Sequence, residues 1–293
     1  MVHISLYFLA LLSLSTSPNW AKLNHMPPEM LGFYRMLGAS LILGLFFLVK
    51  KEKPHYPNKN AFYWNIGSAS FFFLHLWTYK YAAKNTLVAN TMILFATNPI
   101  WASLGGQLFF KESIKPRVIL SYILAVIGVF IMVSQNLNLT SENHIGNVSA
   151  LVSAFFYAGY MLMSKKARAH ITNENFSILL YSTTAFLFLI TTLISTGPSL
   201  EAFASHDRIS WLAILGLILF PTFLGHFSFT YLVKYMPLGF MTCGKLIEPI
   251  LASIFAYFLF NEQLGTNTIY AFILTVASVI ILFWPTLIAK RSN

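Results

Sequence analysis

Long apolar runs separated by short polar or basic segments fill the chain from end to end. Ten can be drawn, at 4–21, 30–49, 61–82, 88–110, 117–134, 145–164, 176–196, 210–232, 238–260 and 267–286. About twenty helical residues cross the hydrocarbon core of a bilayer, and backbone in lipid must bond within its own segment. Each run is therefore expected to be a membrane-spanning helix. The alternation of a membrane barrel is missing. Connections are short, so no soluble domain is expected, and the fold class is an all-α polytopic membrane protein with ten transmembrane helices.

Sliding the chain against itself by 150 residues, without a gap, brings out a repeat. Phe73-Leu74 meets Phe223-Leu224, Tyr81 meets Tyr231, and Lys84 meets Lys234. Two almost wholly apolar stretches follow, Pro99 to Glu112 and Pro249 to Glu262, both with Ile and then Ala-Ser after the proline. Shared leucines mean little in so apolar a chain, whereas shared Lys, Pro and Glu do not arise cheaply. The reading is a tandem duplication of a five-helix unit, residues 1–138 and 139–293. Five is odd, so the second unit enters the membrane from the opposite side. Inverted repeats of this kind place a substrate site near mid-bilayer at the repeat interface of alternating-access transporters.

Composition agrees with a lipid environment: 10% of residues are charged and 57% hydrophobic, with mean hydropathy +0.66. A soluble chain would be about a quarter charged. The net charge of +10 falls in short clusters between apolar runs, so nucleic acid is not an expected partner. Thirteen basic residues lie on one side: Lys50, Lys51, Lys53, Lys59, Lys111, Lys115, Arg117, Lys165, Lys166, Arg168, Lys234, Lys290 and Arg291. Lys22, Arg35, Lys80, Lys84 and Arg208 lie on the other, which puts both termini in the cytoplasm. The single cysteine, Cys243, makes no internal disulfide, and no Cys/His spacing suits a metal; no cofactor is expected. Residues 4–14 lack a preceding Lys or Arg and are followed by Pro18, Asn19 and Trp20, so they read as a first span rather than a cleaved signal.

Charges within spans carry the candidate chemistry. Lys245 and Glu248 lie three apart on one helix face, where lipid would penalise them by a few kcal/mol at least. They are either a substrate or proton site or an internal pair that fixes packing. Asn98 is the counterpart of Glu248, each preceding a proline, Pro99 or Pro249, that removes a helix bond and frees a carbonyl. His75 and His226 hold nearly corresponding positions and are candidate proton relays or interhelical hydrogen-bonding groups. Trp20, Tyr79, Tyr157 and Tyr160 are candidates for stacking on an organic substrate, and Lys80 and Lys84 for anchoring the outer end of their helix. Gly239, Gly244 and Lys245 mimic a phosphate-binding loop, but Leu246 stands where Ser or Thr is needed and the stretch is a span. Asn138-Leu139-Thr140 is a glycosylation sequon, relevant only in a eukaryotic source.

At these residues the chain closely resembles the EamA-type family of the drug/metabolite transporter superfamily. The likeness runs through Arg35 in FYRMLGAS, Tyr81-Ala82-Ala83-Lys84, Pro99 through Glu112, Gly146 through Lys166, and Glu248-Pro249 through Glu262. It implies a carrier of two inverted five-helix repeats that moves small organic solutes such as amino acids, often outward, by proton coupling or exchange. Its expected home is the bacterial cytoplasmic (inner) membrane. The resemblance also implies a cavity lined by the first, third, fourth, sixth, eighth and ninth spans. In the first span the family often has Trp-Gly before a small polar residue; this chain has Ser15-Thr16-Ser17-Pro18-Asn19-Trp20, which makes Asn19 and Trp20 substrate candidates. Arg35 is expected to seal or order the outer end. The leading expectation is a secondary transporter whose partners are a small-molecule substrate, the lipid bilayer and protons. The alternatives are an integral-membrane enzyme acting on lipid-borne substrates, or a passive channel or scaffold.

Overall fold

The computed structural model describes residues 2–86, 88–113, 115–135, 141–196, 203, 207–261 and 266–288. Glu262, the sequon Asn138-Leu139-Thr140, and Lys290 with Arg291 lie outside the described residues. Among the described residues the chain is helical, without strands. Helices α1 to α9 are Val2–Ser15, Ser17–Leu23, Pro28–Lys50, Lys59–Asn85, Val88–Phe95, Asn98–Phe110, Pro116–Gln135, Ser141–Arg168 and Asn173–Thr196. Helix α10 (Arg208–Leu217) continues through a π-helical stretch, Ile218–Phe227, into α11 (Ser228–Leu232). Then follow α12 (Leu238–Gly244), a 3-10 turn at Lys245–Ile247, α13 (Glu248–Phe260) and α14 (Thr266–Ile288).

Every run drawn from the sequence falls on a helix or on a broken pair of helices. Five described segments are long and apolar enough to cross a membrane: Pro28–Lys50, His144–Arg168, Asn173–Ser195, Arg208–Leu232 and Leu238–Phe260. The breaks have local causes. Pro18 and Pro99 sit in the first turn of α2 and α6, where the missing N–H removes no helical bond. Pro221, inside α10's continuation, lacks the N–H for a normal turn, and the chain widens to π winding there. Two other starts are capped by side chains, with Asn58 Oδ1 accepting from Ala61 N at 2.7 Å and Asp207 Oδ1 from Ser210 N at 2.8 Å.

Helix boundaries repeat as the letters do. α5 and α12 start at 88 and 238, α6 and α13 run 98–110 and 248–260, and α7 and α14 start at 116 and 266, each shifted by 150. Left-handed residues close the paired helices at matching positions, Lys111 (φ 55°) and Asn261 (φ 53°). Outward faces match as well: Leu108 is 77% exposed and Phe258 75%, while Leu104 and Ile254, Ile123 and Ile273, and Val126 and Val276 are also exposed pairs. A continuous outer surface of Leu, Ile, Phe and Val has no place in water, and lipid is the solvent that accepts it.

The two halves pack on each other. α4 lies against α8, α3 against α9, α7 against α14, α1 against the π stretch, α5 against α13 and α6 against α12. Exchanging the halves maps this set of neighbours onto itself. Between α7 and α14 the hydroxyls of Ser121 and Ser278 meet at 2.8 Å, a polar clasp worth more than another apolar contact where lipid already supplies those. Phe72, Phe176, Phe188, Tyr160 and Tyr181 are fully buried at the seam.

Candidate functional site

The site sits where the second broken span meets α1, α4, α5, α8 and the π stretch. The 3-10 turn at Lys245–Ile247 tightens the helix just before Pro249, and it presents Lys245 and Glu248 to the seam. Lys245 Nζ donates to Glu248 Oε1 at 2.6 Å, with each side chain 3% exposed. Three rings cage the ammonium: Tyr157 at 4.8 Å, Phe229 at 5.2 Å and Phe95 at 5.6 Å from the ring centres. Ring faces attract a desolvated cation by about 2 kcal/mol, so the cage adds to the attraction the carboxylate offers the ammonium. Phe95 stands 150 residues before Lys245, so two positions matched by that shift touch each other here.

A cavity of about 20 Å³ lies beside the pair, lined by Leu14, Ser17, His75, Leu76, Tyr79, Phe95, Tyr157, His226, Lys245 and Glu248. That is room for about one water. No organic solute enters this conformation without the halves moving apart. Bigger hollows lie elsewhere: an apolar one of about 450 Å³ between α4, α6 and α8, and others of about 300 Å³ beside Glu112 and Arg117 and about 340 Å³ beside Arg168, Glu174 and Lys234. None of these is lined by a buried ion pair, which is the feature that selects the smaller site.

The histidines differ. His75 Nδ1 meets Ser153 Oγ at 2.8 Å, and that hydroxyl donates its one proton to His75 O at 3.1 Å. Nδ1 is therefore the donor, which leaves Nε2 as acceptor. His226, on the π stretch, has no partner at Nδ1 and packs edge-on against Phe72 at 4.8 Å. The two imidazoles are 6.1 Å apart. The hydroxyls of Tyr157 and Tyr160 are also buried without a partner, whereas Tyr79 Oη donates to Met92 Sδ at 2.8 Å. Buried polar groups are ordinarily paired, so this concentration of unused capacity marks a place built to meet something other than the fold.

Of the residues singled out in the sequence, Glu248, Lys245, Tyr79, His75, Tyr157 and His226 converge on this one cavity. The others are placed apart. Asn98 is buried but caps its own break, Nδ2 donating to Phe95 O at 2.8 Å. Asn19 ties α2 to α13 through Nδ2 and Ala252 O at 3.2 Å. Trp20 stacks parallel on Phe220 at 6.2 Å and packs over Gly216, where a Cβ would sit 2.7 Å from its ring. Arg35, expected near an outer end, is buried within α3 and donates from Nε to Thr222 Oγ1 at 2.7 Å, which fastens it to the π stretch. Lys80, expected as an anchor, is buried as well. Pro99 and Pro249 both lie in the first turn of the restarted helix. Glu112 pairs with Lys165, joining the end of α6 to α8.

Residues the sequence did not announce are Phe95 and Phe229 of the cage and Ser17, Leu14 and Leu76 of the wall. The repeat register held a clue, since Phe95 corresponds to Lys245. Among the described residues no three His, Cys, Asp or Glu side chains converge on a metal position.

Comparisons with known proteins follow this geometry. The model of the EamA-like transporter family matches residues 1–134 and 144–284. A protein of Archaeoglobus fulgidus described as an uncharacterized transporter is 27% identical over 217 residues, 74% of each chain. One of Clostridium kluyveri with the same description is 24% identical over 210 residues, 69% of this chain and 65% of that one. A crystal structure titled only as that of a protein superposes with a TM-score of 0.77 at 16% identity, covering 100% of this chain and 99% of the other, a likeness of fold.

Proposed function

The chain belongs to the EamA-like transporter family, and from that premise we propose that this integral membrane protein is a secondary transporter of a small organic solute, probed at the Lys245–Glu248 pair. Ten spans in two inverted five-helix repeats would rock about the seam, exposing one site to each membrane face in turn. The repeated helix boundaries, the symmetric packing of the halves and the spans broken at 98 and 248 support that reading. The description of the relatives as transporters supports it too.

The observation that carries the proposal is the buried ion pair in its aromatic cage, beside a cavity too small for a solute. Stripping either partner from a buried pair costs about 3–5 kcal/mol, because the other charge is left in low dielectric. A solute that opens the pair must therefore replace both charges. A zwitterion does so, its carboxylate meeting Lys245 and its ammonium meeting Glu248, and an amino acid or related metabolite has this form. A proton does half of it by neutralising Glu248, which would leave Lys245 to an anionic group and couple solute to proton movement. His75 Nε2 and His226 stand where such a proton would pass. The direction proposed is outward, from a cytoplasmic membrane with both chain termini inside, as the basic loops suggest.

The test is counterflow in proteoliposomes loaded with mixed amino acids. Saturable exchange that Glu248→Gln abolishes, in protein that still inserts, supports the proposal. Non-saturable leak, or wild-type exchange and pH profile in Glu248→Gln, refutes it.

A further inference from the structure

Buried charge in this molecule does not balance. Among the described residues five charged side chains are buried: Arg35, Lys80, Arg168, Lys245 and one anion, Glu248. Lys245 has Glu248. Arg168 is met by backbone carbonyls, Nε donating to Thr230 O at 3.0 Å and Nη1 to Ile171 O. Arg35 and Lys80 have no equivalent. Arg35 Nε reaches a neutral hydroxyl, that of Thr222, while its Nη2 has no acceptor. Lys80 Nζ has no hydrogen-bond partner and lies 4.8 Å over the ring of Phe188.

The ring of Phe188 links these two cations: Lys80 lies over it, and it packs on Gly32, one turn before Arg35 on α3. The carboxylate of Glu29 accepts from Trp77 Nε1 at 2.7 Å. A lone buried ion carries a desolvation penalty that a ring face offsets only in part. Two like charges side by side make the deficit larger. Hydroxyls rather than carboxylates lie here: Thr222 Oγ1 accepts from Arg35, the Tyr181 hydroxyl donates to Thr222 O at 3.5 Å, and the buried Tyr160 hydroxyl has no partner. Among the described residues no carboxylate bonds to Arg35 or Lys80.

A planar guanidinium fork beside an ammonium is the arrangement that oxyanions recognise. We infer that Arg35 and Lys80 form a subsite for an oxyanion group, carboxylate or phosphate, of the transported solute. The solute is then an organic anion that carries more negative charge than a simple zwitterion. This rests on the transport reading above and names its substrate class. His226, four residues after the Thr222 that holds Arg35, lines the cavity with Lys245 and Glu248 and lies 6.1 Å from His75. Through Thr222, Arg35 is also fixed to the π stretch that carries His226. An oxyanion bound at Arg35 thus bears on the element that walls the cavity.

The test is thermal unfolding of the purified full chain in nanodiscs, titrated with malonate and with inorganic phosphate against chloride of equal ionic strength. Wild type is expected to show a saturable rise in Tm with at least one oxyanion. Lys80→Met is expected to raise the Tm of the ligand-free protein, since it removes an uncompensated buried charge, and to weaken the apparent affinity about tenfold or more. Arg35→Gln should abolish the response; if that variant does not fold, Lys80→Met decides. No saturable response in wild type, a Lys80→Met variant with wild-type affinity, or one with a lower ligand-free Tm overturns the inference. Counterflow of neutral amino acids without any oxyanion response removes the subsite and leaves the transporter. An oxyanion response without counterflow of any solute does the reverse.

Discussion

At residue 98 and again at residue 248 a span breaks and restarts with a proline in its first turn. The residues before the restarts have nearly the same backbone, Thr97 at φ −74°, ψ −11° and Ile247 at φ −78°, ψ −21°. Both restarted helices end 12 residues later in a left-handed turn. Their chemistry differs. Asn98 spends its amide on its own preceding turn, at Phe95 O, while Glu248 faces the seam and takes Lys245. Where the second copy has that lysine, the first has Phe95, whose ring lies 5.6 Å from the ammonium. At both breaks the backbone follows the proline and its packing, whereas the buried ion pair lies at the second, where it carries the desolvation penalty of two charges.

Breaking that asymmetry at its charged end has the largest expected effect. Glu248→Gln should lose transport by about 100-fold or more, because the solute's ammonium loses its carboxylate, and should lower thermal stability by about 3–5 kcal/mol because Lys245 is left unpaired. The double variant Lys245→Met with Glu248→Met should recover the stability and none of the transport, a separation that counterflow and thermal unfolding read independently. Next in size is Gly244→Ala, one residue before the charged turn. A Cβ there runs into the hydroxyl of Tyr7, which donates to Met241 O at 2.8 Å and ties α1 to α12. Overpacking of this kind should cost about 1–3 kcal/mol in unfolding free energy. The neutral end should be quieter: Asn98→Ala gives up one bond worth about 0.5–1.5 kcal/mol and should leave counterflow close to wild type. A loss of transport comparable to that of Glu248→Gln would mean that the copies share the work.

A polar contact outside both copies' breaks sets the lower end of the scale. Asp207, the exposed cap of α10, accepts from His25 Nδ1 at 2.9 Å and from Ser210 N at 2.8 Å, and these bonds, the histidine first, hold its carboxyl well below the usual range. A carboxyl depressed in the folded state stabilises above the unfolded value of about 4 and loses that contribution as pH falls toward the folded value. Asp207→Asn should therefore lower Tm slightly at pH 7, with the difference from wild type shrinking as the pH drops through 4. A difference that stays constant with pH would assign the effect to capping geometry alone.

Much of this was legible in letters. Apolar runs placed the helices, the 150-residue register found the paired breaks, and the spacing of Lys245 and Glu248 put both on one face. What hydropathy does not encode is azimuth. Lipid and protein core are equally apolar, so nothing in the runs told that Trp20 packs over Gly216, or that Arg35 and Lys80 are buried. The π winding around Pro221 and its link from Thr222 to Arg35 depend on tertiary packing and were not read from the run 210–232. Nor was the break at Thr16 within the run 4–21, although Ser17 beside it is part of the cavity wall.

Whether one cavity serves both membrane faces is most directly measured by labelling a cysteine placed at Ser17, in a Cys243→Ser background, with an impermeant thiol reagent applied to oriented vesicles from either side. Alternation of the two repeats about the seam predicts that the residue reacts from both faces, slowly, and that Glu248→Gln changes the balance between them. Reaction from one face only, in wild type and variant alike, would contradict it.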